Sequence, residues 1–384
     1  MSKRFTPMLA ERLSSVGEYY FSKKLREIEL LRREGKEIIS LGIGSPDMAP
    51  HPSVIERLNS ESQRPNVHGY QSYRGAAELR QAFAAWYLRK FGVEVDSENE
   101  VLPLIGSKEG LMHICMTYLN RGDRVLVPNP GYPTYTSAVR LAGGEEVGYT
   151  LSEEMMWQPD LEKLPTDGVR MMIINYPHMP TGAVASLDAL RRIVDFCRQH
   201  DILLINDNPY CFIRNLTPIS IMQVNGAKDI AIELTSLSKS HNMAGWRVGA
   251  VIAAKERVDE ILRFKSNMDS GMFLPIQAAA ATALSLGDEW YVQQNTEYYR
   301  REEIGMAIFD ALNLTYSKNQ AGLFLWGRLP QGRECYVFCD ELLYEKGIFL
   351  TPGGIFGSAG EQYMRLSLCA DCQTLGRVLE IVKG

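Results

Sequence analysis

The chain has 384 residues, of which 45% are apolar and 23% are charged, and its formal net charge is −5. This length predicts two domains, and the interspersed, slightly acidic charge argues against nucleic-acid binding, which needs a basic surface. The start of the chain, MSKRFTPMLAERL, is charged and amphipathic, unlike a signal peptide. The longest apolar run, AAAATALSL at 278–286, is far shorter than the ~20 residues of a membrane span. We therefore expect a cytoplasmic protein that contacts neither nucleic acid nor membrane.

The first part of the chain contains two predicted helices separated by a short strand. Residues 16–35 have apolar side chains at helical spacing and stop at Gly35. The run IISLGI at 38–43 predicts a strand, and GSPD at 44–47 predicts a turn. A second helix is predicted over 76–92, where Gly92 supplies the C-terminal stop.

From about residue 100 the pattern becomes strand, turn and helix in repetition. Near-continuous apolar runs indicate strands that are buried on both faces, as in a parallel sheet flanked by helices. The runs are DRVLVPN (123–129), VRMMIIN (169–175), DILLIND (201–207) and IAIELTS (230–236). We predict an α/β fold, with a three-layer αβα large domain built on a mostly parallel sheet.

The last hundred residues have a different pattern, which predicts a smaller α+β domain. A long helix is followed by a strand with an internal glycine (AGLFLWGRL, 321–329), a helix and a last strand (YMRLSL, 363–368). We place the boundary near Pro275 to Gln277, so that the large domain covers 46–276 and the small domain 277–384. The N-terminal segment, 1–45, is expected to pack with the small domain.

The chain has seven cysteines, an odd number that indicates reduced thiols. Cys335 and Cys339 are four residues apart, and Cys369 and Cys372 form a C-x-x-C, so a zinc site is conceivable. The alternative is that Cys335 and Cys339 face the core of a helix and that the second pair is incidental. We favour this alternative, because free cysteine is often buried, and predict no metal.

Polar side chains follow three of the predicted strands at their carboxyl ends, where open parallel sheets bind their ligands. Asn175 follows MMII, Asp207 follows LLIN, and Ser236, Ser238 and Lys239 follow IEL. A single aspartate after a strand is usually a helix cap, but three such endings favour a common site.

A turn at Gly106-Ser107-Lys108 opens the helix in LIGSKEGLMHICMTYL. The free N–H groups and the positive dipole end of that helix predict an anion site. The stretch lacks the G-x-x-x-x-G-K-[ST] pattern of a P-loop. LGIGSPD is not a dinucleotide fingerprint either, because Asp47 replaces the third glycine.

An amine, an acid and an anion pocket together suit pyridoxal phosphate. This cofactor needs a lysine for its Schiff base and an acid that keeps its ring nitrogen protonated. Lys239 is the candidate amine and Asp207 the candidate acid. Arg247, in a Gly-x-Arg-x-Gly frame, suits the phosphate because its planar fork binds phosphate bidentately. The other predicted phosphate ligands are Ser236, Ser238 and the backbone amides of Ser107 and Lys108.

Over nearly its full length the chain resembles fold-type I, class I/II aminotransferases. The matching pieces, in chain order, are LGIGSPD, Y-x4-G-x3-ELR (70–80), GSKEG, GDRVLVPNPGYPTY, NYPHMPTG, D-x-x-Y (207–210), SLSKSHNMAGWRVG and MRLSL. The phrases NYP, GAKDIAIELTSLSK, NMAGWRVG and KSNMDSG are most similar to the LL-diaminopimelate aminotransferase branch and to neighbouring alanine and aspartate enzymes. The resemblance implies transfer of an amino group between an L-amino acid and a 2-oxo acid.

The resemblance also implies individual roles around the cofactor. Lys239 would form the internal aldimine and then move the proton, while Asp207 would pair with the ring nitrogen. Tyr210 would bond to the ring hydroxyl, and Tyr132 would stack on the ring face. Asn175 matches a family asparagine at the cofactor.

Further roles concern the substrate and the second subunit. Arg365, in MRLSL, would bind the substrate α-carboxylate with help from the backbone of Gly44. An arginine in an apolar strand needs such an anionic partner. Tyr19 is a weaker candidate for a substrate contact. Tyr70 would reach the phosphate of the neighbouring subunit, which implies a homodimer with shared active sites.

One position departs from the family pattern, since the usual N-P-T-G reads Met179-Pro180-Thr181-Gly182. A thioether thus replaces the donor to the ring hydroxyl, which puts the tuning of the cofactor and the reaction preference in doubt. A lyase, such as a C–S lyase, is the alternative reaction on the same site. A ligand-sensing regulator is disfavoured, because no basic recognition helix precedes LGIG. The sequence does not identify the amino acid.

Overall fold

The computed structural model describes residues 8–384, so the first seven residues of the charged N-terminal stretch lie outside it. The helices are α1 (Tyr20–Arg33), α2 (Pro52–Ser62), α3 (Ala77–Phe91), α4 (Ser107–Tyr118), α5 (Pro133–Leu141), α6 (Leu187–Gln199), α7 (Ala227–Ile230), α8 (Leu237–Ser240), α9 (Lys255–Lys265), α10 (Leu274–Leu284), α11 (Asp288–Ala311), α12 (Cys335–Lys346) and α13 (Cys372–Lys383). The strands are β1 (Ile39–Ser40), β2 (Val101–Leu104), β3 (Arg124–Asn129), β4 (Glu145–Thr150), β5 (Val169–Ile174), β6 (Leu203–Asp207), β7 (Ala231–Ser236), β8 (Gly249–Ile252), β9 (Thr315–Tyr316), β10 (Phe324–Arg328), β11 (Ile348–Phe349), β12 (Thr351–Pro352) and β13 (Tyr363–Ser367).

A seven-stranded sheet in the order β2-β8-β7-β6-β5-β3-β4 forms the centre of the molecule. β3 to β7 pair in parallel, whereas β8 pairs antiparallel with both β2 and β7. The four apolar runs of the sequence became β3, β5, β6 and β7, and their side chains are almost entirely buried. The prediction of an α/β fold with a mostly parallel sheet is therefore confirmed.

Two smaller sheets take most of their strands from the last part of the chain, and one of them also includes β1. A four-stranded sheet has the order β12-β13-β10-β9, and its pairs are antiparallel. β1 pairs in parallel with β11 through Ile39 and Ile348, so the N-terminal segment contacts the C-terminal part of the chain. Helix α10 crosses the predicted boundary at 276 and packs on α2 and α3. The domain limits stay a prediction.

The helical predictions agree with the structure apart from their ends. α1 is shorter than 16–35, and Gly35 follows it with a φ of 89°. α3 ends before Gly92, whose φ of 65° suits a C-terminal stop. Only Ile39 and Ser40 of the predicted strand IISLGI form a regular strand, although the Leu41 N–H still donates to the Phe349 carbonyl oxygen at 2.9 Å. Cys335 and Cys339 are buried on α12, as expected. No helix within residues 8–384 has the length and apolar character that crossing a membrane requires.

Candidate active site

The carboxyl ends of β5, β6 and β7 lie side by side in the large sheet and bring three predicted residues to one edge. Asn175 directly follows β5, Asp207 ends β6 and Ser236 ends β7. The short helix α8 then carries Ser238 and Lys239. This edge forms one wall of a cavity of about 610 Å³.

Every predicted site residue except Tyr70 lines this one cavity. The lining includes Tyr19, Gly44, Ser107, Lys108, Tyr132, Asn175, Asp207, Tyr210, Ser236, Ser238, Lys239, Arg247 and Arg365. Tyr70 lies in the segment between α2 and α3, and 94% of its surface is exposed. The cavity of a single chain therefore does not include Tyr70.

The Lys239 amine lines the cavity and is held by one hydrogen bond. Its Nζ donates to the carbonyl oxygen of Gly44 at 2.5 Å. Burial lowers the pKa of Lys239, and the positive charges of Arg247 and Arg365 act in the same direction. A lowered pKa increases the fraction of neutral amine, which is the form that attacks a carbonyl carbon.

The Asp207 carboxylate is buried with one oxygen unpaired. Oδ2 accepts a hydrogen bond from the Tyr135 hydroxyl at 2.8 Å, whereas Oδ1 has no hydrogen-bond partner. Burial raises the pKa of Asp207 to about 6, against the opposing effect of the hydroxyls of Tyr135 and Ser107. A buried acceptor without a partner is unfavourable. This oxygen thus has the position and chemistry to accept a bond from a cationic N–H group of a ligand.

The anion end of the cavity is built from the start of α4 and the loop before β8. The first turn of α4 has N–H groups without helical acceptors, beginning at Ser107. Arg247 lies against Gly106, which has a φ of 86°. A Cβ at Gly249 would come within 2.7 Å of the Thr235 carbonyl oxygen and 3.0 Å of the Ser107 nitrogen. Glycine at 249 therefore lets the sheet approach the helix end closely.

Aromatic and amide side chains surround the space next to Asp207. The rings of Tyr132 and Tyr135 lie perpendicular to each other at 5.5 Å. The Asn175 side chain donates through Nδ2 to the Asp207 carbonyl oxygen at 2.5 Å and accepts from the Met179 backbone N–H at 2.8 Å. The amide oxygen of Asn175 therefore already accepts a hydrogen bond, whereas the second hydrogen of its NH2 group is free to bind a ligand.

Arg365 is buried in β13 without a carboxylate partner. Its Nη2 donates to the Gly42 carbonyl oxygen at 2.7 Å, and its Nε has no hydrogen-bond partner. The guanidinium carbon lies 3.8 Å from the centre of the Phe324 ring and 4.7 Å from that of Phe356. Burial lowers the pKa of Arg365 to about 10, so the group is still cationic at neutral pH. A buried cation with unused donors indicates an anionic ligand.

Met179 contacts Arg365 directly. Nη1 of Arg365 lies 3.3 Å from the Met179 sulfur, and Met179 is buried. A thioether is a weak acceptor and donates no hydrogen bond. The departure from the family pattern therefore lies at the wall of the cavity, beside the predicted carboxylate clamp.

Sequence reasoning missed several lining residues. Tyr135 bonds to Asp207, and the rings of Phe21, Phe324 and Phe356 surround Arg365. Tyr135 ends the stretch PGYPTY (130–135), three residues after Tyr132, so the sequence offered a signal for it. The phenylalanines come from three distant parts of the chain, and no local pattern connects them.

Comparison with known proteins identifies the family. The family model described as aminotransferase class I and II matches residues 36–382. The chain belongs to this family. Its members depend on pyridoxal phosphate, and they transfer an amino group between an amino acid and a 2-oxo acid.

Individual relatives agree with this assignment. The chain is 40% identical to LL-diaminopimelate aminotransferase of Nitratidesulfovibrio vulgaris (strain DP4) over 369 residues, which covers 94% of this chain and 95% of the relative. It is 37% identical to LL-diaminopimelate aminotransferase of Halothermothrix orenii over 381 residues, 98% of each chain. The solved structure of substrate-bound BacF from Bacillus subtilis superimposes with a TM-score of 0.95, at 31% identity and 98% coverage of both chains.

These comparisons confirm the predicted type of reaction, the transfer of an amino group. The chain is an aminotransferase, an enzyme that exchanges the amino group of an amino acid with a 2-oxo acid. The lyase alternative is not favoured, since the matching relatives are named aminotransferases.

Proposed function

We propose that this aminotransferase binds pyridoxal phosphate covalently through Lys239, with its ring nitrogen against Asp207. The observation that supports this most is the unpaired, buried Oδ1 of Asp207 in the same cavity as a lysine whose pKa is lowered. When bound, pyridoxal phosphate supplies an electron sink for negative charge at the substrate α-carbon.

The residues around the cofactor have complementary tasks. Asp207 holds the proton on the ring nitrogen, because a buried anion stabilises a neighbouring cation. The amides of Ser107 and Lys108, the hydroxyls of Ser236 and Ser238 and the guanidinium of Arg247 bind the phosphate. Tyr132 packs on the ring face, and Tyr210 and Asn175 orient the ring edge.

The substrate is held at the other end of the cavity. Arg365 binds the α-carboxylate through its unused N–H groups, and the backbone of Gly44 and the side chain of Tyr19 lie beside it. This anchoring orients the α-carbon towards Lys239. The Lys239 amine would act as the base that takes the proton from the substrate α-carbon and as the acid that gives it back. Such positioned proton transfer contributes about 10²–10⁴-fold to the rate.

The experiment that tests this function measures products. The purified enzyme, loaded with pyridoxal phosphate, is mixed with an amino acid and 2-oxoglutarate or pyruvate, and the new amino acid is quantified. We expect a new amino acid in amounts equal to the 2-oxo acid formed from the donor. Release of ammonia without a new amino acid would contradict the proposal and indicate a lyase. Lys239→Ala serves as the inactive control.

We also propose that the enzyme is a homodimer with shared active sites. Tyr70 is exposed and absent from its own cavity, and the exposed ring of His68, two residues earlier, stacks on Phe273 at 5.6 Å. An exposed aromatic surface of this kind suits contact with a second copy. Tyr70 would then reach the phosphate of the partner subunit. We propose the cytoplasm as the location, on the composition of the chain.

Mixed subunits test the shared site. Tyr70→Phe and Lys239→Ala variants are each impaired in this account, whereas a hybrid dimer regains one site with both groups intact. Activity of the mixture should therefore exceed the average of the two parents. A mixture that never rises above this average would contradict site sharing.

A further inference from the structure

Lys239 lies on a helix that is too short to fix its own position. Helix α8 has only four residues, Leu237–Ser240, and the carbonyl groups at the end of a helix have no donor within it. The chain leaves α8 at Asn242, whose φ of 54° lies in the left-handed region. The position of the Lys239 backbone therefore depends on hydrogen-bond partners outside α8.

Side chains of the long helix α11 supply these partners. Gln294 Nε2 donates to the Lys239 carbonyl oxygen at 3.1 Å and to Oδ1 of Asn242 at 2.7 Å. Trp290 Nε1 donates to the Ser240 carbonyl oxygen at 2.8 Å. Gln294 is buried, so water cannot readily replace its side chain as a donor. Helix α11 thus holds the backbone from Lys239 to Asn242.

The same face of α11 also anchors the segment that the Lys239 amine contacts. Arg301 follows Gln294 by seven residues, which is about two helical turns, and so lies on the same side of α11. Its Nη1 and Nη2 donate to Oδ1 and Oδ2 of Asp47 at 2.6 and 3.0 Å. Asp47 lies three residues after Gly44, whose carbonyl oxygen accepts from Lys239 Nζ. The backbone of the lysine and the acceptor of its amine are therefore both tied to one helix face.

Helix α11 keeps its place in the fold without the bonds of Gln294. It has 24 residues, it packs along α13, and Tyr291, Ile308 and Phe309 are among the side chains that it buries. Its apolar contacts are thus far more extensive than those of the four-residue α8. The hydrogen bonds between the two helices therefore act mainly on the position of α8.

We propose that Gln294 is a positioning residue for Lys239 in the proton transfer of the proposed function, on which this inference rests. By holding the Lys239 backbone, Gln294 sets the distance and angle at which the amine reaches the substrate α-carbon. A displacement of about 1 Å can slow such a step by about 100-fold. Gln294 does not line the cavity that contains Arg365, so its effect falls on proton transfer and not on substrate binding.

The kinetic test uses Gln294→Met, which removes the donor and keeps the length of the side chain. In the loaded enzyme kcat should fall by about 10- to 100-fold, whereas the KM of the amino acid should be unchanged. The deuterium isotope effect on kcat, measured with an amino acid deuterated at its α-carbon, should increase, because proton transfer becomes slower relative to the other steps. An unchanged kcat, or a lower kcat with the isotope effect of the original enzyme, would overturn the inference.

The matched control is Gln320→Met, at a buried glutamine with a similar bonding pattern. Nε2 of Gln320 donates to the carbonyl oxygens of Ser317 and Trp326, both at 2.9 Å, and Gln320 does not line the cavity. This variant should lower the stability towards urea and yet keep the kcat and the isotope effect of the original enzyme. Equal kinetic losses in the two variants would show that Gln294 acts through general stability, and would overturn the inference.

Hydrogen exchange measures the position of α8 without turnover. In the cofactor-free enzyme the amides of residues 237–243 should exchange about three- to tenfold faster in Gln294→Met, the effect of one lost hydrogen bond. The amides of β6 should exchange as in the original enzyme. Unchanged exchange at 237–243 would overturn the inference alone. Failure of the original enzyme to form a new amino acid would overturn the proposed function, and with it the role of Gln294 in proton transfer.

Discussion

Two carboxylates are buried on neighbouring strands of the large sheet, and their surroundings differ. Glu233 on β7 is fully buried and accepts hydrogen bonds at 2.6–3.0 Å from Tyr87 Oη, Ser220 Oγ, Asn206 Nδ2 and the Ile221 backbone N–H. Asp207 on β6 accepts one hydrogen bond, from Tyr135; the Ser107 hydroxyl is near enough to favour its charged form, but Oδ1 has no hydrogen-bond partner. Both carboxyl groups have a raised pKa, because burial disfavours their charge.

This difference separates a structural acid from a functional one. The partners of Glu233 come from α3, β6 and the segment before α7, so its bonds connect parts of the fold. Asp207 lines the cavity, and its second oxygen forms no hydrogen bond that connects parts of the fold. A buried group that the protein leaves unsatisfied indicates a ligand that satisfies it.

The largest expected effect is that of Asp207→Asn. Loss of a charge that pairs with the cofactor ring should lower kcat by about 200- to 5,000-fold, the equivalent of about 3–5 kcal/mol. The same variant should stabilise the cofactor-free protein at pH 8. The pKa of Asp207 in the folded protein is about 6, above the ordinary value of 3.8. Its ionisation therefore removes stability as the pH rises from about 4 to 6.

Thermal melting of the cofactor-free protein across this pH range measures the effect on stability. The wild-type melting temperature should fall relative to that of Asp207→Asn between pH 4 and 6, and then stay lower. Asp195→Asn, at an exposed position on α6, serves as the matched control. If Asp207→Asn were less stable than the original protein at pH 8, the Asp207 carboxylate would stabilise the fold as that of Glu233 does, and its assignment as a functional acid would be wrong.

The next effect concerns the buried cation at the other end of the cavity. Arg365→Ala should weaken transition-state binding of every amino acid by about 2–5 kcal/mol, mostly through KM, because the α-carboxylate loses its charged partner. The absorbance of the bound cofactor should be unchanged. Arg300→Ala, an exposed arginine on α11, is the control. Normal KM values in Arg365→Ala would show that the α-carboxylate binds elsewhere.

Glu233→Ala should act in the opposite sense from Asp207→Asn. Without the carboxylate, the buried N–H groups of Asn206 and Ile221 lose their acceptor. The free energy of unfolding should fall by about 2–4 kcal/mol, as measured by urea denaturation. The affinity for pyridoxal phosphate should be unchanged. Loss of cofactor affinity in a variant of normal stability would contradict the structural role of Glu233.

The smallest effect is expected at Met179. An asparagine there would donate a hydrogen bond to the ring oxygen of the cofactor, which is charged while the Lys239 nitrogen is protonated. The pKa of this nitrogen in the loaded enzyme should then be lower in Met179→Asn, by at most about one unit, since one hydrogen bond contributes about 0.5–1.5 kcal/mol.

A spectrophotometric pH titration of the loaded enzyme measures this pKa. Met179→Leu is the matched control, because leucine also lacks a donor, and its pKa should equal that of the original enzyme. An equal or higher pKa in Met179→Asn would show that position 179 does not act on the ring oxygen.

The core of the fold could be predicted because its strands are long and apolar. β5, β6 and β7 are buried on both faces, and their continuous apolar runs stand out in the sequence. β4 was not predicted, because Glu145–Thr150 lies at the edge of the sheet and is largely polar. β8 has only four residues, and nothing in its sequence indicates an antiparallel direction.

The site residues that could be predicted are those at the carboxyl ends of apolar strands. Asp207 and Lys239 follow apolar runs directly, so their convergence follows from parallel pairing. The packing around Arg365 could not be predicted. Phe21, Phe324 and Phe356 are far apart in the sequence, and only the tertiary packing brings them to Arg365.

The attachment of the cofactor at Lys239 is the central claim, and chemical labelling tests it most directly. The enzyme is loaded with pyridoxal phosphate, reduced with borohydride and digested, and the modified peptides are identified by mass spectrometry. We predict that the cofactor mass is found on Lys239, and that Lys239→Ala binds cofactor without becoming labelled. Stoichiometric label on another lysine, or cofactor that binds and escapes reduction in the original enzyme, would contradict the account.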